Sequence, residues 1–563
     1  MEPSSSSSEA HRLNINVGCL GHVDSGKTSL VAALSTQLST AALDKHPQSK
    51  ARGITLDLGF SSFMAPLGSG EEVQFTLVDC PGHASLVKTV VGGSQIIDMM
   101  LLVVDITKGI QPQTAECIVI GEITTDFMIV VLNKIDLVPT EKREKYAKKA
   151  SKMIRKTFSG TKFKDVPVIA ASTKERVDGT VVHDTMMADA AQAQCLGVQD
   201  LVNAMVQMVP HMNVQRKEDG DFMMYIDHCF SIKGQGTIVT GTLSEGCVSV
   251  GQAIEFPLMG LVRKVKSIQA FKKPVTRAIA GDRVGICVPN LSATHIERGL
   301  ACKPGSMCAY THAIVRVDKV RFFPSKIYSR KKIHILIGHS SVMATLEFFG
   351  MPRFSTRTWV QAADGDFAWE NDYIYQDELY GTEGRPIGSE DWYKNSEWRL
   401  KDTQRTFMGP QWALIKFEEA ALARPGALIL GAKLDTDLDA CTCRIALSGK
   451  ILDNIEQTSR LRVFKIKSKE GTIRTVEPDR MTAVCSGLFA SNNAVTTFLG
   501  MSVRGPNGLL GVIESPYGTK GDCRVKFEQP VSMTGQEPAC VVLKFKQFLH
   551  GSDNASKKRE IEQ

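Results

Sequence analysis

No Cys-x-x-Cys pair occurs among the fourteen cysteines, whose closest members are Cys441 and Cys443. A zinc site of the usual ligand spacing is therefore not supported, and scattered thiols acting as small apolar residues fit a reduced compartment. No uncharged apolar run approaches the ~20 residues of a membrane-spanning helix. The opening "MEPSSSSSEAHR" lacks the apolar core of about 7 to 15 residues that a secretory signal needs. A cytoplasmic protein with no membrane partner is the expectation. Disorder is disfavoured as well, because 43% of the residues are apolar and 23% charged, an ordinary globular balance. The net charge of +7 is placed unevenly: from Arg460 onward sixteen Lys and Arg stand against ten Asp and Glu. That excess suits a polyanionic partner or a solvated surface equally well.

At about 150 residues per domain, the 563 residues suggest about four domains. Residues 12–213 alternate short β-branched runs ("LNINVGCL", "VQFTLVDC", "MMLLVVDIT", "FMIVVLNKID", "VPVIAAS") with helical stretches, which predicts a parallel sheet covered by helices. "VQDLVNAMVQMV" reads as the last helix of that region, ended by Pro210. Beyond the polar linker "NVQRKEDGD", residues 220–306 turn to short strands punctuated by glycine, which predicts a small β-barrel. A second all-β stretch, 307–453, is interrupted by a polar insertion at 350–410, where Asp364 to Arg405 carries eleven acids against five bases. Residues 459–550 open with "RLRVFKIKSKEGTIRTVEPD" and read as a further mostly β domain. On a strand Lys465, Lys467 and Lys469 share one face, and with Arg462 they are candidate RNA contacts.

Directly after the first strand stands "GHVDSGKT": Gly21, His22, Val23, Asp24, Ser25, Gly26, Lys27 and Thr28 match G-x-x-x-x-G-K-[ST] in its strand-to-helix context. The glycines let backbone N–H groups converge on phosphate, Lys27 supplies a point charge, and Thr28 offers a hydroxyl to Mg²⁺. The strand "VQFTLV" then delivers "DCPGH", placing Asp79 to hold the metal through water and Gly82 to meet the γ-phosphate with its amide. Between them, "ARGITLDLGF" carries Thr55, which reaches Mg²⁺ only while the γ-phosphate is present, so this segment is expected to order and release with hydrolysis. "NKID" ends the next strand. Asp136 accepts from the ring N–H and the exocyclic amine of guanine, donors that adenine lacks, while Asn133 and Lys134 brace the ring. Ala170, Ala171 and Ser172 stand where GTPases usually have a serine-alanine pair closing the base pocket, and Ala170 departs from that pattern. Each motif alone reads as a turn or strand end; four in order at strand termini predict a GTPase that binds GTP/GDP with Mg²⁺.

These motifs, followed by two barrels, resemble the elongation factor Tu class of translational GTPases over roughly residues 12 to 452. The implied architecture is an α/β P-loop GTPase domain (12–213), two elongation-factor-type β-barrels (220–306 and 307–453) and a C-terminal mostly β domain (459–550). The resemblance implies that His83 orients the attacking water, that Val23 and Ile54 form an apolar gate beside it, and that Asp24 lies near the β and γ phosphates. Positioning is what phosphoryl transfer requires. A histidine after a loop glycine serves equally as a structural donor, so this role rests on the resemblance. Hydrolysis is then expected to await the ribosome.

Within that class "QSKARGITLDLGF", "DHCFSIKGQGTIVTGT" and "AGDRVGICV", with the basic C-terminal extension, resemble the selenocysteine-specific elongation factors of eukaryotes and archaea. The implied cargo is selenocysteinyl-tRNA, carried to the ribosome by a monomer for insertion at recoded UGA codons, and the implied aminoacyl pocket is Asp227, His228 and Arg283. A selenol is far more acidic than the hydroxyl of the serine first loaded on the same tRNA, so a cationic pocket separates the two. A guanidinium, with an imidazole held protonated by Asp227, would stabilise the selenolate; charged hydrogen bonds of ~1.5 to 3 kcal/mol give ~10- to 100-fold selectivity. A lone histidine in a strand is often structural, and the 55 residues between His228 and Arg283 leave their meeting open. The C-terminal domain is implied to reach the selenocysteine-insertion RNA element through an adaptor protein. Two other readings stand beside this one. Against an initiation factor two gamma-like carrier of initiator tRNA weigh the absent cysteine pairs and the basic extension. Against a GTP-bound ribonucleoprotein scaffold weigh Thr55, Gly82 and His83.

Overall fold

The apolar runs of the N-terminal third become strands buried on both faces. The computed structural model describes residues 13–35, 37–38, 59–68, 70–80, 96–174, 195–214, 216, 218–232, 234, 236–291, 299–338, 340–351, 366–380, 410–434, 443–455, 458–531, 539–550 and 561–562. Contacts divide the chain into two units: Met1–Leu346, Leu379–Pro386 and Ile415–Asn454 in the first, Glu347–Glu378, Ile387–Leu414 and Ile455–Gln563 in the second.

In the first unit β1 (Leu13–Leu20), β2 (Gln37–Leu38), β3 (Gly59–Pro66), β4 (Glu72–Asp79), β5 (Met99–Asp105), β6 (Phe127–Asn133) and β7 (Val168–Ala170) form one sheet, ordered β2-β3-β4-β1-β5-β6-β7. From β4 through β7 in that order, neighbours are parallel; β3 runs antiparallel to β4. Every residue of β5 is buried, as expected of a parallel strand covered on both faces. The helices are α1 (Lys27–Leu34), α2 (Pro112–Thr124), α3 (Thr140–Phe158) and α4 (Val198–Met208). Val198, Leu201 and Met205 recur at helical spacing and turn α4 into the core; the helix gives way to a 3₁₀ turn at Val209–His211, where Pro210 removes a donor. The sheet order carries the carboxyl ends of β1, β4, β6 and β7 to one edge, where open α/β sheets bind their ligands.

Next come β8 (Met223–Ile232) and β9 (Gly236–Glu245), central in an eight-stranded sheet in which the strand Arg283–Val288 pairs antiparallel with β9. Met224 and Ile226 face the barrel core at full burial. One residue further the register slips: Ile226 pairs with Gly241 but His228 with Thr240, which leaves Asp227 as the extra residue of a β-bulge. The strands Lys332–Ile337, Leu428–Ala432, Ile445–Asn454, Cys308–Lys319, Gln411–Ala423 and Ser340–Gly350 follow one another in a second barrel, the first also pairing with the last.

In the second unit, Val463–Val476 pairs with both Thr482–Ser486 and Cys540–Phe548, and Asp522–Phe527, Leu510–Tyr517 and Ser502–Arg504 complete the ring around its own apolar core. Of the described residues of the acidic insertion, all but Leu379 and Tyr380 belong to this unit. Its strand Tyr373–Gln376 lies parallel to the start of Val463–Val476, Tyr373 opposite Val463.

Candidate functional site

Between β1 and α1 the backbone passes through left-handed residues, with φ of 154° at Gly21, 60° at Asp24 and 89° at Gly26. Reversals of this kind turn successive N–H groups toward a common point, an anion cradle. A Cβ on Gly21 would fall 2.3 Å from the Val103 carbonyl oxygen, and one on Gly26 2.2 Å from Asn133 Nδ2, so both places exclude a side chain. Lys27 Nζ donates to the carbonyls of His22 (2.9 Å) and Gly21 (3.2 Å). Burial lowers the Lys27 pKa, with Asp79 opposing the shift. Burial and the charges of Lys27 and Lys108 also lower that of His22. The Thr28 hydroxyl donates to Asp79 Oδ2 at 2.7 Å, bringing two hard oxygen donors together at the ends of α1 and β4. Val23 is half-buried and Asp24 exposed beside them. Ile54, Thr55, Gly82 and His83 lie outside the described residues.

The carboxyl end of β6, with "NKID", is tied to this cradle. Asn133 Nδ2 donates to the Ser25 carbonyl at 2.9 Å, so its amide braces the phosphate loop. Lys134, left-handed at φ 63°, sets its ammonium 2.9 Å from Asp105. Burial alone would raise the Asp105 carboxyl, but hydrogen bonds from Thr107 and Lys134 outweigh it and hold it below the usual carboxylate range. The Ser172 hydroxyl donates to Asp136 Oδ1 at 2.6 Å and fixes that carboxylate. Ala170 ends β7, and the Ala171 amide donates to the Leu132 carbonyl, holding this turn beside β6.

In the first barrel, Asp227 and Arg283 meet. Arg283 Nη1 donates to Asp227 Oδ2 at 2.5 Å and Nη2 to Oδ1 at 3.1 Å, with side-chain exposures of only 3% and 7%. The Thr240 hydroxyl adds a third bond to Asp227 Oδ1, 2.8 Å long. The guanidinium also stacks on Phe60 of β3, its Cζ 3.1 Å from the ring centroid. The Asp227 oxygens are thus engaged by Arg283 and Thr240 rather than by the half-buried His228, which stands next to them in the bulge.

Residues 12–211 match the family model of the elongation factor Tu GTP binding domain, and 236–300 that of elongation factor Tu domain 2. Residues 314–449 match the third domain of eukaryotic selenocysteine-specific elongation factor, and 459–562 the eEFSec C-terminal RIFT domain. The selenocysteine-specific elongation factor of Mus musculus is 39% identical over 527 residues, which cover 91% of this chain and 88% of the mouse protein. The chain belongs to the selenocysteine-specific elongation factors. That of Methanocaldococcus jannaschii is 30% identical over 522 residues, 92% of this chain and 95% of the archaeal one. The crystal structure of translation elongation factor SelB from Methanococcus maripaludis in complex with the GTP analogue GppNHp superposes at a TM-score of 0.68. It is 26% identical and covers 95% of this chain and 99% of its own. The chain is accordingly a translational GTPase with an elongation-factor architecture, and among its described residues no helix is long and apolar enough to cross a membrane.

In this selenocysteine-specific elongation factor the candidate RNA contacts of the second unit are mostly engaged. Arg462 donates to Asp372 at 2.7 Å and lies 4.4 Å from the Phe548 ring; Lys546 reaches the same carboxylate at 3.1 Å. Lys465 stands 3.6 Å over Tyr375. Lys469 lies 4.8 and 5.0 Å from the Phe489 and Phe498 rings, and burial lowers its pKa. Lys467 is exposed. Lys467→Ala is therefore expected to leave the melting temperature unchanged and, if this strand meets phosphate, to reduce the slope of log K against log salt by about 1. Arg462→Ala is expected to lower the melting temperature first, because it strips Asp372 of a partner; filter binding across a salt series with thermal melts separates the two.

Motif reading did not reach Asp105, Thr240 or Phe60, nor the buried fork of Arg444 on Glu116 of α2, at 3.0 and 3.1 Å. Asp105 alone had a signal, a carboxylate ending an apolar strand that neighbours the one carrying "NKID".

Proposed function

We propose that this chain in its GTP form carries selenocysteinyl-tRNA to the ribosome and releases it there, after hydrolysis, at recoded UGA codons. The observation that carries the reading is the buried Arg283–Asp227 fork beside His228, in the barrel that follows a GTPase domain. Arg283 has five N–H groups and Asp227 takes two. Those left over, with the His228 ring, are the donors available to a selenolate. A seryl hydroxyl gains far less from them, being a neutral acceptor. Asp227 orients the guanidinium rather than the imidazole.

Thr28 and Asp79 converge at 2.7 Å as oxygen donors of the kind Mg²⁺ takes, and they would hold it with Thr55. Bound there, the ion would neutralise charge on the β and γ phosphates. His83 would position water behind the gate of Val23 and Ile54, with Asp24 beside the phosphates and Gly82 on the γ-phosphate. The adaptor-mediated contact with the selenocysteine-insertion RNA and the monomeric state belong to the same proposal.

The deciding experiment compares GTP-dependent binding of selenocysteinyl-, seryl- and bulk elongator aminoacyl-tRNA. A preference for the first of about 10-fold or more is expected from one charged hydrogen bond. Equal binding of all three would remove the reading, and the absence of ribosome-stimulated phosphate release would favour a scaffold.

A further inference from the structure

β1 has two faces. Ile15, Val17 and Cys19 enter the core of the GTPase domain, whereas Asn14 and Asn16 point the other way and are still buried, at 8% and 1% exposure. Both amides serve one acceptor in the next domain. Asn14 Nδ2 and Asn16 Nδ2 donate to the Gly281 carbonyl at 2.7 and 3.0 Å. The Thr76 hydroxyl donates to Asn14 Oδ1 at 2.7 Å and fixes that amide, while Asn16 Oδ1 has no partner among the described residues.

The acceptor is held as firmly as the donors. Gly281 lies in a turn at φ 91°, its N–H donating to the Leu243 carbonyl at 2.8 Å, and Asp282 Oδ2 accepts from the Ile279 amide at 2.9 Å. A Cβ at Gly281 would fall 2.4 Å from Arg216 Nε. That guanidinium is forked on Asp98 at 2.9 and 2.6 Å and donates to the Asn14 carbonyl at 2.6 Å. Two residues after Gly281 comes Arg283.

Two directional donors on one carbonyl fix a position that apolar packing of equal area would leave free to slide, and leaving Asn16 Oδ1 orphaned is unfavourable by itself. We infer that Asn14 and Asn16 are positioning residues for aminoacyl selection: the strand that ends in the phosphate cradle clamps the turn that presents Arg283, and so sets where its guanidinium meets the aminoacyl group. This inference rests on reading Asp227, His228 and Arg283 as the aminoacyl pocket.

The test uses the full-length protein. Asn14→Leu, Asn16→Leu and Arg283→Ala are compared with the parent for GTP-dependent protection of the ester bonds of selenocysteinyl-tRNA and seryl-tRNA. A fluorescent GTP analogue and thermal melting are read on the same samples. Each Asn variant leaves the carbonyl one donor, and Asn16→Leu also removes an orphaned acceptor, so Asn16→Leu is expected to melt and to bind the analogue like the parent. The ratio of selenocysteinyl to seryl affinity is expected to fall about 3- to 10-fold in each Asn variant, the worth of one hydrogen bond, and further in Arg283→Ala. A parental ratio in both Asn variants, or an equal loss for both tRNAs, overturns the clamp while leaving the pocket intact if Arg283→Ala still collapses the ratio. A parental ratio in Arg283→Ala overturns the pocket and the clamp together.

Discussion

Asp136→Ala is expected to weaken GTP and GDP binding by about 10²- to 10⁴-fold, with no gain for ATP. On the proposed reading the carboxylate would offer guanine two acceptors, and each charge-assisted bond is worth about 1.5 to 3 kcal/mol. Ser172 makes this loss specific. Its hydroxyl donates to Asp136 Oδ1 and accepts from the Lys174 amide at 3.1 Å, so it keeps one partner when the carboxylate goes. Asp136 is only half-buried, and a change in stability under about 1 kcal/mol is expected. Titration with fluorescent nucleotide and a parallel melt check both halves. Affinity within tenfold of the parent would show that the base is read elsewhere.

The nucleotide site was legible because a P-loop is a local object. Eight consecutive residues set the backbone reversals, and neighbouring parallel strands deliver the rest in chain order. Even so, spacing could not show that the Asn133 amide would be spent on the Ser25 carbonyl, since that bond spans 108 residues. The fold classes were legible for a similar reason: period and punctuation are properties of short windows. The side-chain pairing in the barrel was not. An Asp-His pair in a strand looks like a carboxylate and its imidazole, and only the bulge, which depends on how β8 and β9 register, turns Asp227 toward Arg283. Likewise the basic alternation of Arg462 to Lys469 suggested an open cationic face. Asp372 and Tyr375, which meet Arg462 and Lys465, come from the insertion about ninety residues earlier, while Phe489, Phe498 and Phe548 come from later in the same domain. Asn14 and Asn16 look like polar interruptions of an apolar strand until the turn at Gly281 is set against them.

Asp227→Ala is expected to destabilise the barrel by about 3 to 5 kcal/mol, since it leaves a buried guanidinium without its counter-ion, and Arg283→Ala by a similar amount through the stranded carboxylate. The double variant should cost less than the sum, with a coupling of about 2 kcal/mol or more, because neither charge is then left alone. Hydrogen exchange of the β8 and β9 amides reads this locally, which suits a chain of several domains better than a global unfolding curve. The same cycle separates two roles for the fork. If Arg283 served the barrel alone, the double variant would regain discrimination between selenocysteinyl- and seryl-tRNA as it regained protection from exchange. If Arg283 meets the selenolate, protection returns in part while discrimination stays lost, because no rearrangement of alanines restores a donor to the pocket. The stacking of Phe60 on the guanidinium adds a control: Phe60→Leu keeps the fork and most of the buried area but removes the ring face. Its effect on stability should therefore be smaller than that of either charge deletion.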